Sequence, residues 1–163
     1  MIAVEKNIPG IWKILEQLTD PEIPVLSIVD LGIVRKIDFI EFEQNYLIQI
    51  TPTYSGCPAI DAIKMNIQLA LHENKILNYR IEQVLSPAWT TDWITENGKQ
   101  QLLAYGIAPP KSKKTVDSYD NNICCPQCNS LNTVLIAQFG STACKALYKC
   151  NDCLEPFDYF KCH

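Results

Sequence analysis

Cys125-Pro126-Gln127-Cys128 and Cys150-Asn151-Asp152-Cys153 are two Cys-x-x-Cys pairs near the end of a 163-residue chain. Each pair can present two thiolates to one metal ion from a tight turn. The segment between them is long enough to fold back as strands and bring the pairs together. Four soft sulfur donors in this format suit tetrahedral zinc first and iron second. So short a segment buries too little apolar surface to fold unaided, so metal binding there is folding energy. Phe139, Tyr148, Phe157, Tyr159 and Phe160 are the candidates for a small apolar shell around the ion.

Seven of the eight cysteines lie in this tail, where Cys124, Cys144 and Cys162 accompany the two pairs. The spacing leaves open whether Cys144 or Cys162 replaces one of the four preferred ligands. The N-terminal MIAVEKNIPG lacks the basic-then-apolar pattern of an export signal, so reduced thiols in the cytoplasm are expected rather than a secreted disulfide scaffold. No stretch approaches the roughly 20 apolar residues of a membrane span. Residues 1–106 carry 8 basic and 13 acidic side chains, and the charges of 123–163 balance. Four thiolates on a divalent ion would add about −2 to that tail. Zinc ribbons that hold nucleic acid present a basic face, so DNA or RNA binding is disfavoured.

Upstream of the tail, Ile11, Ile14, Leu15 and Leu18 form the apolar stripe of a short helix, which Pro21 and Pro24 prevent from continuing. Residues 32–42 and 46–51 read as two strands, with Glu43-Gln44-Asn45 as the turn between them. Pro58 stands at the first position of a long helix that ends near Asn74, with Ile60, Ile63, Ile67, Ala70 and Leu71 on one face. Residues 79–85 are a third strand, closed by Ser86-Pro87-Ala88-Trp89. A last helix spans 95–105, with Gly106 at its C-terminal end. The order αββαβα predicts an α+β domain with a small mixed sheet over residues 1–106. Residues 107–122, with Pro109-Pro110-Lys111-Ser112-Lys113-Lys114, read as a linker, and 123–163 as the cysteine-rich ribbon.

Cys57 is the one cysteine outside the tail, in Thr51-Pro52-Thr53-Tyr54-Ser55-Gly56-Cys57-Pro58 at the mouth of the long helix. Unpaired N–H groups there favour a thiolate, which makes the sulfur a better nucleophile or metal ligand. The plainer reading is a small buried residue at a strand–helix junction, and spacing alone does not separate the two. Asp20, Glu22 and Asp30 serve either as turn and cap residues or as carboxylates close to Cys57. His72 is expected to do no more than meet solvent, and Trp89 and Trp93 to serve core or interface packing.

DPEIPVLSIVDLGIV followed by TPTYSGCP resembles the domain shared by SufT-like and cytosolic iron–sulfur assembly proteins. The tail FGSTACKALYKCNDCLEPFDYFKCH and the stretch LSPAWTTDWITENGKQQLLAYGIAPP resemble the PaaD family, accessory subunits encoded with bacterial phenylacetyl-CoA epoxidase. That enzyme is a multicomponent di-iron monooxygenase with a flavin and [2Fe–2S] reductase. The resemblance implies a non-catalytic maturation factor that inserts or repairs iron or an iron–sulfur cluster in the epoxidase or its reductase. It implies Cys57 as the transient cargo ligand, with Asp20, Glu22 and Asp30 as the acidic positions of the assembly signature. Cys125, Cys128, Cys150 and Cys153 match the ribbon pairs, Cys144 and Cys162 fall in the flanking elements, and Cys124 is an extra. The implied partners are the epoxidase subunits, their reductase and the iron–sulfur assembly machinery. One candidate ligand per chain implies a cluster bridging two subunits of a homodimer, or a subunit and its client. The chain lacks paired Glu-x-x-His helices and a nucleotide-binding glycine loop, which argues against an oxygenase or nucleotide-driven role. The alternative is a structural scaffold subunit in which Cys57 is inert.

Overall fold

Asn7 starts the first helix, α1 (Ile8–Leu15), by accepting the backbone N–H of Gly10 at 3.0 Å. Ile11 and Leu15, one turn apart, seal its inner face. The structure is a computed structural model that describes residues 6–111 and 123–161. After α1 come β1 (Val34–Ile40), β2 (Asn45–Ile50), α2 (Ala59–Glu73) and β3 (Tyr79–Gln83). β1 and β2 pair antiparallel, while β2 and β3 pair parallel, so β2 is the centre of a mixed sheet in the order β1-β2-β3. The parallel pairing follows from the helical crossover, since a hairpin cannot return a strand in the same direction. Tyr46, Ile48 and Ile50 alternate as the buried face of β2, and Ile63, Ile67 and Leu71 are the buried stripe of α2.

The loop at 19–33, which Pro21 and Pro24 keep from regular structure, is held by backbone bonds such as Asp20 N–H to Leu26 O at 2.9 Å and by side chains. One carboxylate oxygen of Asp20 accepts the N–H groups of Glu22 (2.8 Å) and Ile23 (3.0 Å). The Ser27 hydroxyl accepts that of Val29 at 3.1 Å. These bonds turn Ile23, Leu26, Ile28, Leu31 and Ile33 inward, each at most 2% exposed. Trp89 is buried too, and its ring N–H donates to Leu31 O at 3.0 Å. It is a core residue, as expected.

The remaining elements are a short 3-10 turn (Thr91–Trp93), α3 (Glu96–Ala104), β4 (Ile107–Ala108), β5 (Thr133–Ala137), β6 (Lys145–Cys150) and β7 (Pro156–Phe160). Thr95 caps α3 by accepting Gly98 N–H at 3.0 Å, and Gly106, at φ +88°, ends it in a conformation that suits glycine. The second sheet runs β4-β7-β6-β5, with β4 parallel to β7 and the other pairs antiparallel.

The chain divides into two compact units, Met1–Trp89 and Thr90–His163. This division falls earlier than a cut at 107–122. The segment read as a linker opens with β4, whose two residues bond to Asp158 and Tyr159 of β7. Prolines and lysines downstream hide so short a strand, because two residues show no periodicity. No helix among the described residues is long and apolar enough to cross a membrane.

Candidate functional site

The two Cys-x-x-Cys pairs stand at matching turns. Cys125 N–H donates to Ser130 O at 2.9 Å and Cys150 N–H to Glu155 O at 3.0 Å, the same five-residue offset in each turn. The residue after each second cysteine lies in the left-handed region, Asn129 at φ +61° and Leu154 at φ +67°. Asparagine tolerates that conformation, whereas leucine is strained there. A brace ties the turns together. The Ser130 hydroxyl and the Asn132 amide both donate to the Asp152 carboxylate, and Asn151 donates to Asn132 through backbone (2.8 Å) and side chain (3.0 Å). Those bonds hold the Asp152 carboxyl below its usual range, the Ser130 hydroxyl contributing most.

The result is one group of four sulfurs, Cys125, Cys128, Cys150 and Cys153, all within 4.8 Å of one another. Cys125 and Cys153 are 3.7 Å apart and Cys128 and Cys150 3.5 Å apart. A disulfide needs about 2.05 Å, so these are thiols. Four sulfurs placed about 2.3 Å from a tetrahedral zinc ion would be about 3.8 Å apart, which these spacings approach. The group fits such an ion in donor type, number and size.

Backbone amides aim at the sulfurs. The N–H groups of Cys153 and Asp152 draw the Cys150 thiol down to about 7, with Cys153 the stronger. Ser130 N–H also draws on Cys128, but desolvation and the sulfurs of Cys150, Cys153 and Cys125 outweigh it, pushing that thiol up to about 12. Cys153 is likewise raised overall, although Glu155 N–H pulls it down. Four thiolates cannot share so small a space without a cation to neutralise them.

Behind the sulfurs, Cys125 and Cys150 are fully sealed in a cluster with Ala108, Ile123 and Phe157, flanked by Tyr148 and Tyr159. Tyr148 stacks on Phe157 at 5.9 Å and meets Tyr159 edge-on at 5.7 Å. Phe160 is fully buried. Phe139 does not join the shell: it is 65% exposed, and its ring carries the Lys161 ammonium at 3.9 Å. It follows β5 into a surface turn, so its aromatic character misleads. Ala108 and Ile123, which flank residues 112–122, were absent from the expected shell, because neither shows periodicity around the cysteines.

Cys144 is buried but outside the four-sulfur group, with its sulfur 3.1 Å from the Thr142 hydroxyl. Cys124 is exposed, and Cys162 lies outside the described residues.

In the first unit, Cys57 lies between β2 and α2, 7% exposed, with its N–H donating to Tyr54 O at 3.2 Å. Thr51 and Thr53 beside it in sequence are buried, whereas Ser55 and Gly56 are exposed. Gly56 sits at φ +82°, and a methyl group built on it would meet nothing within 4 Å. Pro58 follows in helical conformation and α2 begins at Ala59, which places Cys57 just before the helix N-terminus. Asp20 is buried with its carboxylate on backbone N–H groups, and Glu22 and Asp30 are half-buried in the same loop. These three carboxylates and Cys57 form no group comparable to the four sulfurs among the described residues. His72 sits edge-on to Tyr79 at 5.9 Å.

Comparison with known proteins agrees with this two-part layout. Residues 109–161 match the PaaD zinc beta ribbon domain and residues 10–76 match the iron–sulfur cluster assembly protein family. A solved structure of a domain of unknown function, DUF59, from Bacillus anthracis superposes with a TM-score of 0.53 at 27% identity, covering 58% of this chain and 89% of that one. A protein of Escherichia coli strain K12, provisionally named as one of the subunits of 1,2-phenylacetyl-CoA epoxidase, is 47% identical over 152 residues, which span 93% of this chain and 91% of the relative. With both domains matched in order and a relative this similar along nearly its whole length, the chain belongs to the PaaD family.

Proposed function

We propose that this protein is an accessory maturation factor of a phenylacetyl-CoA epoxidase, acting in the cytoplasm without catalysing the epoxidation itself. In this reading the assembly-type domain, residues 1–106 as delimited by the sequence, handles iron or an iron–sulfur cluster destined for the epoxidase or its reductase. The observation that carries the reading is the setting of Cys57 in an assembly-type domain: a buried thiol just before the N-terminus of α2, next in sequence to an exposed Ser55-Gly56 with open space over the glycine. The exposed Ser55 and Gly56 leave the loop before the helix open to an approaching cargo. Asp20 shapes the neighbouring loop, and Glu22 and Asp30 are the carboxylates placed to assist. A single thiol per chain holds cargo weakly, which suits transfer, and the remaining ligands come from a second subunit or the client.

Zinc belongs to the ribbon. Cys125, Cys128, Cys150 and Cys153 would hold it, and the closed set of four thiolates leaves no position for a substrate, so its contribution is to folding.

The test is metal and acid-labile sulfide content, with a visible spectrum, on protein purified without oxygen. One zinc per chain is expected in wild type and in Cys57→Ser, with iron and sulfide in wild type alone. Client epoxidase matured in cells carrying Cys57→Ser should lose cofactor loading while the variant stays folded. Full client loading by that variant would remove Cys57 from the mechanism. A scaffold role is the second reading, favoured by the burial of Cys57. It predicts stable stoichiometric co-purification with the epoxidase and indifference to the substitution.

A further inference from the structure

Two residues outside the four-sulfur group hold matching places beside it. Ser130 lies two residues after Cys128, and Asp152 lies two residues after Cys150. The backbone N–H of Ser130 bonds to the Cys128 sulfur, and that of Asp152 to the Cys150 sulfur. Their side chains then meet, with the Ser130 hydroxyl donating to one carboxylate oxygen of Asp152. Each residue thus holds a sulfur of its own turn through its backbone and the opposite turn through its side chain. The contacts form a closed circuit, completed across the 3.5 Å between the Cys128 and Cys150 sulfurs.

Asn132 locks this circuit. Its backbone N–H donates to the Ser130 oxygen at 3.0 Å, so the hydroxyl accepts on one side and gives its proton to Asp152 on the other. Its side-chain amide donates to the second Asp152 oxygen at 2.7 Å. Both carboxylate oxygens are therefore engaged, and bonds to a charged acceptor are stronger than neutral ones. An isolated bond between exposed groups adds little, because water offers the same partners, but a network whose members are all satisfied acts as a unit. Charge alone would keep an acid away from this place. Asp152 is the one acidic side chain in 123–154, and it stands beside four cysteines that would carry about −2 with a divalent ion. Its bonds, not its charge, account for its position.

We propose that Ser130 and Asp152 are positioning residues for the metal ion of the four-sulfur group: their side-chain bond sets how far apart the two turns stand, and so holds the Cys128 and Cys150 sulfurs at the spacing the ion needs. The inference rests on reading those four cysteines as a zinc site. Ser130 and Asp152 act through Cys128 and Cys150, which supply the donors. Cutting the strap leaves the Asn151 N–H bond to Asn132 O, at 2.8 Å, and the pairing of Thr133 with Cys150. The turns then stay together but stand less firmly.

The test uses the full chain loaded with zinc, and with cobalt(II) as a visible reporter of sulfur coordination. Ser130→Ala and Asp152→Ala should each weaken zinc binding about 10–100-fold in competition with a chelator, the range for changes directly behind a metal's ligands. The cobalt absorption of both should shift from that of wild type, since the sulfurs have moved. Ser130→Thr keeps the hydroxyl and should restore both readings. The double variant should bind no more weakly than the weaker single variant, because both changes cut one strap. Circular dichroism at saturating metal reports folding, and two independent single variants guard against one that fails to fold. Unchanged affinity in both single variants would overturn the assignment. Weaker binding with wild-type cobalt bands would do the same, since the strap would then serve the fold alone, as would losses that add in the double variant. A wild type that binds neither ion through its cysteines would overturn the metal site itself and this inference with it.

Discussion

In the first unit Ile11, Leu15, Ile48, Ile63 and Ile67 are sealed from solvent between a mixed sheet and its helices. In the second, the sealed positions beside Phe157 are taken by Cys125 and Cys150. One unit draws its stability from branched apolar side chains removed from water. The other has few of these, and gives two of its innermost positions to cysteines of a group that could hold a metal ion. The difference explains why the candidate sites look so unlike each other. The four sulfurs are gathered in one group that could hold a metal ion. Cys57 belongs to no comparable group among the described residues.

Removing metal should break the comparison most sharply. Structural zinc in such sites contributes about 10–16 kcal/mol of apparent binding free energy at neutral pH. A strong chelator should therefore unfold residues 123–161 while the first unit keeps its packing. Amide NMR spectra of the full chain would resolve the two, and loss of both units together would show that the first depends on the second. The same site predicts a pH dependence. Cys150 falls from an ordinary 9.0 to about 7 in the fold, so its thiolate favours the folded state fully above pH 9.0 and loses that effect as pH drops through about 7. Cys128, raised to about 12 without metal, must give up a proton on loading. Zinc binding should release protons and weaken steadily with acid, which a competing colorimetric chelator can follow.

A smaller effect sharpens the other side. Ile67→Ala removes a fully buried branched side chain from α2 and should cost about 2–5 kcal/mol of the first unit's stability. Zinc content should not change. Thermal unfolding followed alongside metal stoichiometry separates the outcomes, and a fall in zinc content would mean that the units share a cooperative core.

The smallest effect has the opposite sign. Leu154 holds a left-handed conformation with its side chain 64% exposed, so Leu154→Gly relieves strain and forfeits little burial. The zinc-loaded ribbon should gain about 1 kcal/mol. Denaturant unfolding of the loaded protein measures it, and a clear loss would show that the leucine side chain contributes packing outside its own turn.

Much of this arrangement was legible along the chain because its signals are local. The stripe of α2, the alternation of β2, Thr95 and Gly106 at the ends of α3, and the spacing of the cysteine pairs each depend on residues within a turn or two. Long-range pairings were not legible. β4 has no period to read and exists because β7 offers it a hydrogen-bonding edge. Ser130, Asn132 and Asp152 brace the metal turns across about twenty residues of sequence, and only the meeting of those turns makes them partners. Phe139 read as shell and lies on the surface, because the turn after β5 carries it outward.

Consecutive residues were enough to set the family, the α+β and ribbon classes, and the four thiols that gather in one group, since motif spacing and periodicity are local patterns. Where the ribbon sheet begins, which apolar residues back its sulfurs and which strand edge stays open were fixed only on folding. Those properties belong to surfaces brought together by the folded chain, and burial is a property of neighbours, not of any residue alone.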